Sequence, residues 1–161
     1  PPYGLGDRTQ ELDFNGVFRL EPKTQALTVV TQDLSMPNGI AFSPDETKVY
    51  VGNSAAGDRY IWALTINSNG TLSDGEILCQ IDNNDWGADG VDVDANGNIY
   101  AGCGDGVHIF SPQGLLLGKI LTATAISNFA FGGDDGKTLF MTSEHALYRI
   151  ELLAAGAVRR W

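Results

Sequence analysis

The sequence has few basic residues and no long apolar run. Its 161 residues include 10 Lys and Arg against 20 Asp and Glu, which gives a net charge of −10. Such a chain repels nucleic-acid backbones and anionic membrane surfaces, so neither is an expected partner. No stretch reaches the length of a membrane span, and the first residues lack the basic and apolar regions of a signal peptide. The composition therefore favours cations and neutral small molecules as ligands.

Cysteine and the common catalytic motifs are also scarce. Cys79 and Cys103 are too few for a disulfide framework, and we expect both as half-buried thiols in strands. The sequence has no nucleophilic serine elbow, phosphate-binding loop or Cys-His zinc spacing, which disfavours those chemistries. His108 and His145 are expected to be structural or solvated. The compartment, whether cytoplasmic or secreted, and the oligomeric state stay open.

What the sequence does contain is a repeat. A polar residue heads a short apolar strand, a turn follows, and then a second strand. The three copies begin with Asn38-Gly39-Ile40-Ala41-Phe42, Asp89-Gly90-Val91-Asp92-Val93 and Ser127-Asn128-Phe129-Ala130-Phe131. Self-similarity at about 40 to 50 residues, with four short strands per repeat, is typical of the blades of a β-propeller.

The alternation of apolar and polar residues predicts an all-β chain. The predicted strands are 16–20 and 26–30; 39–42, 49–53, 60–66 and 76–80; 90–93, 98–103, 106–110 and 115–121; and 128–131, 138–142 and 146–151. This is two complete blades with part of another on each side. An open arc leaves unpaired strand edges, so we expect about half of a larger ring. The first residue is not Met, which agrees with this. The tail, 153–161, is predicted as a helical turn or as disordered.

The residues that head the inner strands are the candidates for chemistry. In a propeller these strands line the axial channel, so Asn38, Asp89 and Ser127 should converge near its mouth. An amide oxygen and a carboxylate at one point suit a hard divalent cation such as Ca²⁺, Mg²⁺ or Mn²⁺, with Zn²⁺ possible. The alternative is that Asn38 and Asp89 cap turns where the strands begin.

Several motifs together resemble the SMP-30/gluconolactonase family, from residue 1 to about residue 152. They are Pro1-Pro2-Tyr3-Gly4-Leu5, the run from Pro37 to Asp45, Asp89-Gly90-Val91, the run from Ser127 to Gly133, and Leu147-Tyr148-Arg149-Ile150. The resemblance implies a six-bladed β-propeller, of which residues 1–152 are a part. It also implies one divalent cation at the channel, with Ca²⁺ as the first candidate. The implied activity is hydrolysis of lactones, typically sugar lactones.

The resemblance assigns roles to two residues. Asn38 and Asp89 match metal ligands, and Asp89 also matches a suggested proton acceptor. The cation would stabilise the charge that develops on the lactone carbonyl oxygen. Whether Asp89 or acidification of water by the cation supplies the base stays open. Two further family ligands, a Glu and an Asn, precede the matched region and have no counterpart here, so the chain alone is expected to bind metal weakly and to turn over little.

Four other side chains are candidate substrate contacts. They are Tyr3, Trp86, Ser127 and Asn128. Each also has a structural interpretation: Tyr3 as a loop anchor, Trp86 as a cover for the junction between blades, and Ser127 and Asn128 as strand caps. Two alternatives to lactone hydrolysis remain at this stage. One is a non-catalytic binding scaffold, and the other is a related metal-dependent hydrolase of phosphotriesters or other esters.

Overall fold

A computed structural model describes residues 11–73, 75–82 and 86–158, and these contain strands and no helix. The strands are β1 (Val17–Leu20), β2 (Leu27–Thr31), β3 (Pro37–Phe42), β4 (Lys48–Ala55), β5 (Asp58–Thr65), β6 (Glu76–Gln80), β7 (Val91–Val93), β8 (Ile99–Cys103), β9 (Gly106–Phe110), β10 (Leu116–Leu121), β11 (Ile126–Gly132), β12 (Thr138–Ser143) and β13 (Leu147–Glu151). A helix long and apolar enough to cross a membrane is absent from this part of the chain.

The strands form four antiparallel sheets in chain order. Two are four-stranded, β3–β6 and β7–β10; β11–β13 form a three-stranded sheet and β1–β2 a two-stranded one. The first strands of successive sheets, β3, β7 and β11, lie against one another, and the last strands point outward. The predicted arrangement of two complete blades and two partial ones is therefore confirmed, as part of a β-propeller.

Three apolar clusters fill the spaces between the sheets. The central cluster joins Ile61 of β5 to Val93 and Ile99 of the next blade, and all three side chains are buried. Successive residues of a strand point to opposite faces, so Tyr100 packs on the other side, against β11 and β12. Each fully buried Ile or Leu contributes about 1.5–3 kcal/mol by leaving water. The core is thus a stack of blade interfaces, and it orients the inner strands.

Two details differ from the sequence predictions. Cys79 and Cys103 are buried rather than half-buried, and burial raises their thiol pKa values to about 11 and about 12. Residues 152–158 do not form a helical turn. They run extended along the inner end of the second complete blade, where Ala157 N donates to Val93 O at 3.0 Å and Ala95 N donates to Ala155 O at 2.8 Å. Backbone groups of residues 152–157 find partners in the two preceding sheets.

Neighbouring blades approach so closely that glycine is required on their second strands. A Cβ atom at Gly52 would lie 2.3 Å from Ala88 O, and one at Gly102 would lie 2.4 Å from Ile126 O. Both contacts are with backbone, which cannot rotate away. These two glycines therefore set the spacing between consecutive inner strands.

We expect Gly102→Ala to destabilise the protein by about 1–3 kcal/mol, because the added methyl group forces the blades apart. Gly118→Ala is the matched control, since a Cβ at that strand position meets no atom within 4 Å. Chemical denaturation of both variants measures the difference. Equal unfolding midpoints would contradict this account of blade spacing.

Candidate metal and catalytic site

The inner strands are joined at their heads by backbone hydrogen bonds. Gly39 N donates to Asp89 O at 2.8 Å, and Gly90 N donates to Ser127 O at 2.8 Å. Asn38, Asp89 and Ser127 therefore occupy equivalent positions in three successive blades. Each strand head is thus bonded to the next. Of the three residues expected to converge, Asn38 and Asp89 line one cavity, and Ser127 is not among its lining residues.

The glycines that follow Asn38 and Asp89 are explained by this contact. A Cβ at Gly39 would lie 2.1 Å from Asp89 O, and one at Gly90 would lie 2.7 Å from Asn128 Oδ1. Packing between blades thus requires the glycine of the Asn-Gly dipeptide and the glycine of the Asp-Gly dipeptide. Packing places no such demand on the Asn and Asp side chains, which need a separate explanation.

Those side chains do not cap turns. A capping aspartate accepts hydrogen bonds from nearby backbone N–H groups, as Asp94 does from the N–H groups of Asn96 and Asn98, both at 2.9 Å. In the described residues, the Asp89 carboxylate instead accepts a hydrogen bond from the Asn38 side chain. Asn38 Nδ2 also donates to Ser54 Oγ at 3.2 Å. The capping interpretation of Asn38 and Asp89 therefore lacks its hydrogen bonds.

This arrangement leaves oxygen atoms available for a cation. Both bonds of Asn38 use its Nδ2 group, and its Oδ1 atom has no hydrogen bond within the described part of the chain. Burial raises the pKa of Asp89, and the bond from Asn38 offsets that rise only in part. No Lys, Arg or His is among the described residues that line this cavity. A half-buried carboxylate without a cationic neighbour is a natural position for a metal ion.

The two side chains open into a cavity of about 330 Å³. It is lined by Asn38, Gly39, Ile40, Asp89, Gly90, Val91 and Asn128. A second cavity, of about 520 Å³, continues along the inner strands, shares Ile40, Val91 and Asn128, and ends at Gly156 and Ala157 of the tail. Asn128 therefore lies where the two cavities meet.

The predicted substrate contacts separate into different environments. Asn128 lines both cavities, although its Oδ1 accepts a bond from Phe129 N at 2.8 Å. Ser127 Oγ lies 3.3 Å from Thr142 O, so its hydroxyl contacts the next strand. Trp86 is 53% exposed and is not among the residues that line either cavity. Tyr3 lies outside the described residues. The roles of all four stay predictions.

The histidines lie away from this site. His108 is buried, and its Nε2 lies 2.6 Å from Asp105 Oδ1; the other carboxylate oxygen of Asp105 is 3.1 Å from Lys119 Nζ. Burial raises the pKa of Asp105, but the bonds from His108 and Lys119 lower that pKa by more than burial raises it. The net pKa is therefore below its usual range. His145 is exposed, with Nε2 3.6 Å from Glu144 Oε2. His108 is therefore structural and His145 is exposed to solvent.

Ser54 is the site residue that sequence reasoning missed. Its Oγ accepts from Asn38 Nδ2 and donates to Ala88 O at 3.0 Å, so it links Asn38 to the residue before Asp89. Its neighbour Asn53 is fully buried, and Asn53 Oδ1 accepts from Met36 N at 2.8 Å, which fixes the chain before β3. The signal available in the sequence was the polar pair Asn53-Ser54 near the end of β4, where Asn53 pairs with Pro37.

The donor set indicates which metals fit. The described residues contain no group of three or more His, Cys, Asp and Glu that could surround an ion. One carboxylate and one amide oxygen suit Ca²⁺, which takes oxygen ligands, better than Zn²⁺, which favours nitrogen and sulfur. Ca²⁺ requires six to eight ligands, so the remaining donors must come from outside these residues.

The radially packed antiparallel sheets define part of a β-propeller. The chain belongs to the SMP-30/Gluconolactonase/LRE-like family, which matches residues 4–145. This confirms the resemblance seen in the sequence motifs.

Individual relatives agree with this assignment. The chain is 38% identical over 168 residues to a gluconolactonase of Zymomonas mobilis, covering 97% of this chain and 47% of that protein. It superposes on a gluconolactonase structure from Xanthomonas campestris with a TM-score of 0.80 and 32% identity, covering 90% and 47% of the two chains. Regucalcin of Agrobacterium tumefaciens, a calcium-binding protein, shares the fold with a TM-score of 0.72 and 22% identity, covering 89% and 54%. The chain thus spans about half the length of these relatives.

The raised pKa of Asp89 predicts a pH-dependent cost. A carboxyl group whose pKa rises on folding contributes stability below its unfolded-state pKa of about 3.9, and that contribution is lost as the pH rises through the folded-state value. Without metal, Asp89→Asn should therefore be more stable than the parent at about pH 7, with the difference closing towards about pH 4. Urea unfolding in a chelator measures this. Asp134→Asn, on an exposed turn, is the control, and identical pH profiles for Asp89→Asn and the parent would contradict the assignment.

Proposed function

We propose that the complete protein containing this chain hydrolyses sugar lactones with the help of one divalent cation. Ca²⁺ is the first candidate for this cation. The observation that carries the proposal is that Asn38, whose Oδ1 has no hydrogen bond within the described residues, and the half-buried Asp89 carboxylate line one cavity. Membership of the family, and relatives that are gluconolactonases, support the choice of substrate.

Asn38 and Asp89 would each supply an oxygen ligand to the cation. A bound cation would supply Lewis acidity, polarising the lactone carbonyl group. Ile40 and Val91 are the apolar side chains that line this cavity. Asn128 lines both cavities, and its amide would bind a hydroxyl group of the sugar.

Asp89 is also our candidate for moving the proton. Water adds to the lactone carbonyl carbon, the ring C–O bond breaks, and the ring oxygen leaves as a hydroxyl group, giving a hydroxy acid. Asp89 would accept the proton from the water and return it to the ring oxygen. Its raised pKa makes it a better base than an exposed aspartate, although a bound cation opposes that rise.

Two other functions make different predictions. A non-catalytic scaffold needs no half-buried carboxylate at its channel. A half-buried carboxylate without a cationic neighbour lowers the stability of the fold. A phosphotriesterase or other esterase would use the same oxygen donors, because a cation also polarises a phosphoryl oxygen. Substrate range separates the two hydrolases, and metal-dependent turnover separates both from the scaffold.

The first experiment is hydrolysis of gluconolactone by the complete protein, followed by pH-stat with and without a chelator. We expect chelator-sensitive turnover that Asp89→Asn lowers by about 10²–10⁴-fold, as for loss of a general base. Asp134→Asn is the matched control and should leave the rate unchanged. If no divalent cation supports hydrolysis, the lactonase proposal fails; full activity from the 161-residue chain alone would refute the need for donors from the rest of the ring.

Ser54 provides a separate test of the metal site. Ser54→Ala removes the bonds to Asn38 and Ala88, so we expect Ca²⁺ affinity to fall by about 10–100-fold, with Ser54→Thr retaining more of it. Calorimetric titration of the complete protein with Ca²⁺ gives the affinity. Ser111→Ala is the control, because that hydroxyl also makes two hydrogen bonds, both accepted from backbone N–H groups of a distant turn. An unchanged affinity in Ser54→Ala would remove Ser54 from the site.

A further inference from the structure

The outer edge of the second complete blade carries a row of exposed leucines. Leu115, Leu116, Leu117 and Leu121, on or next to β10, are 68%, 46%, 54% and 70% exposed. Single exposed apolar side chains are ordinary on protein surfaces, but several on one strand form a patch of the kind that marks an interaction site. We call these four residues the leucine edge.

The leucine edge is not a consequence of the chain spanning half a ring. Strand β10 is the outermost of its sheet, and both neighbouring sheets are described. On one side Gly114 packs on the backbone of Leu78, and on the other β8 contacts β11. By contrast, exposed Phe18 and Ile150 lie on the first and last sheets of the arc, where further blades would pack. Blades that complete the ring would therefore pack on those end sheets and not on the leucine edge.

The edge is also open for strand pairing. In the described chain, β10 pairs with β9 alone. Thr122 N donates to Asp105 O, so by antiparallel alternation the backbone N–H and C=O of Lys119 and Leu121 point away from β9. Native edge strands are usually protected by charges or proline. Here the single charge is Lys119, whose ammonium group is already bonded to Asp105 at 3.1 Å.

We propose that the leucine edge is an interface with a second copy of the chain, formed by antiparallel pairing of the two β10 strands. A two-fold axis at Gly118 places Leu115 opposite Leu121 of the second copy, Leu116 opposite Ile120, and Leu117 opposite Lys119. No like charges then face each other, and the outward backbone groups of Lys119 find partners.

Charge favours a second copy at this position. The chain carries a net charge of −10, so most surfaces of two copies repel each other, yet residues 111–124 contain no acidic residue. An isologous dimer uses the same patch twice, which a self-complementary strand provides. A strand pair covers less than the typical 800 Å² per subunit, so we expect a dissociation constant on the order of micromolar. This proposal does not depend on the lactonase activity.

Cysteine cross-linking tests the register. A Cβ at Gly118 meets no atom within 4 Å, so Gly118→Cys should fold normally. Facing residues at the axis have Cα atoms about 4.5 Å apart, within the range for a disulfide. We expect the oxidised variant of the complete protein to run at twice its mass until reductant is added. Cys79 and Cys103 are buried and should not interfere. Leu153→Cys, at a residue that is 99% exposed, is the control and should not cross-link.

Sedimentation equilibrium tests the interface itself. The protein concentration should be varied up to about 100 µM, well above the expected dissociation constant. Lys119→Pro removes the outward N–H that faces Leu117 of the second copy without breaking the ladder to β9, and Leu117→Lys adds a charge to the edge. Each should weaken dimerisation at least about tenfold while circular dichroism stays unchanged, and Leu153→Lys should have no effect. A protein that is monomeric throughout, a dimer that resists both edge variants, or a dimer that Gly118→Cys does not cross-link would overturn the proposal.

Discussion

The structure depends on how closely the backbones of neighbouring inner strands approach. At Gly39 and Gly90 a carbonyl oxygen or a side-chain amide of the next blade occupies the place where a Cβ atom would stand. The hydrogen bonds from these glycines to Asp89 O and Ser127 O join the blades at their heads. Because each head is bonded to the next, Asn38 and Asp89, which precede these glycines, are brought to one cavity. The backbone hydrogen bonds between blades are sufficient for this.

The repeat made the architecture predictable. Strand alternation and turn residues are local signals, and twelve or so short apolar segments with glycine-rich turns leave few alternatives to blades. Features set by packing between sheets were not predictable. The tail finds its partners on Val93 and Ala95, which are distant in sequence. Ser54 matters because β4 places it beside Asn38 and the loop before β7 places Ala88 against it. No pattern within a single strand reports such contacts.

Sequence alone also cannot separate a structural aspartate from a candidate functional one. Asp45, Asp94 and Asp89 each lie beside a turn or a glycine. Asp45 and Asp94 accept hydrogen bonds from the N–H groups of their own turns. The bond from the Ser43 hydroxyl, followed by the bonds from Thr47, lowers the pKa of Asp45. Asp89 accepts none of that kind, so burial dominates and its pKa rises. The difference lies in the direction of the side chain, which only the fold determines. The residue pattern left Asp89 open between a metal ligand and a turn cap, and the family resemblance implied the metal ligand.

A desolvated carboxylate at the junction of two blades costs free energy until a cation offsets it. On the proposed function, Asn38 and Asp89 come from neighbouring blades and supply two ligands, while the others come from elsewhere in the ring. A cation shared by several blades would stabilise only the arrangement in which all of them are in place, because binding to the folded state alone adds to its stability. The site would then be more than an addition to a finished scaffold. It would also contribute to closing the ring, at the same strand heads where the glycine contacts already align the blades.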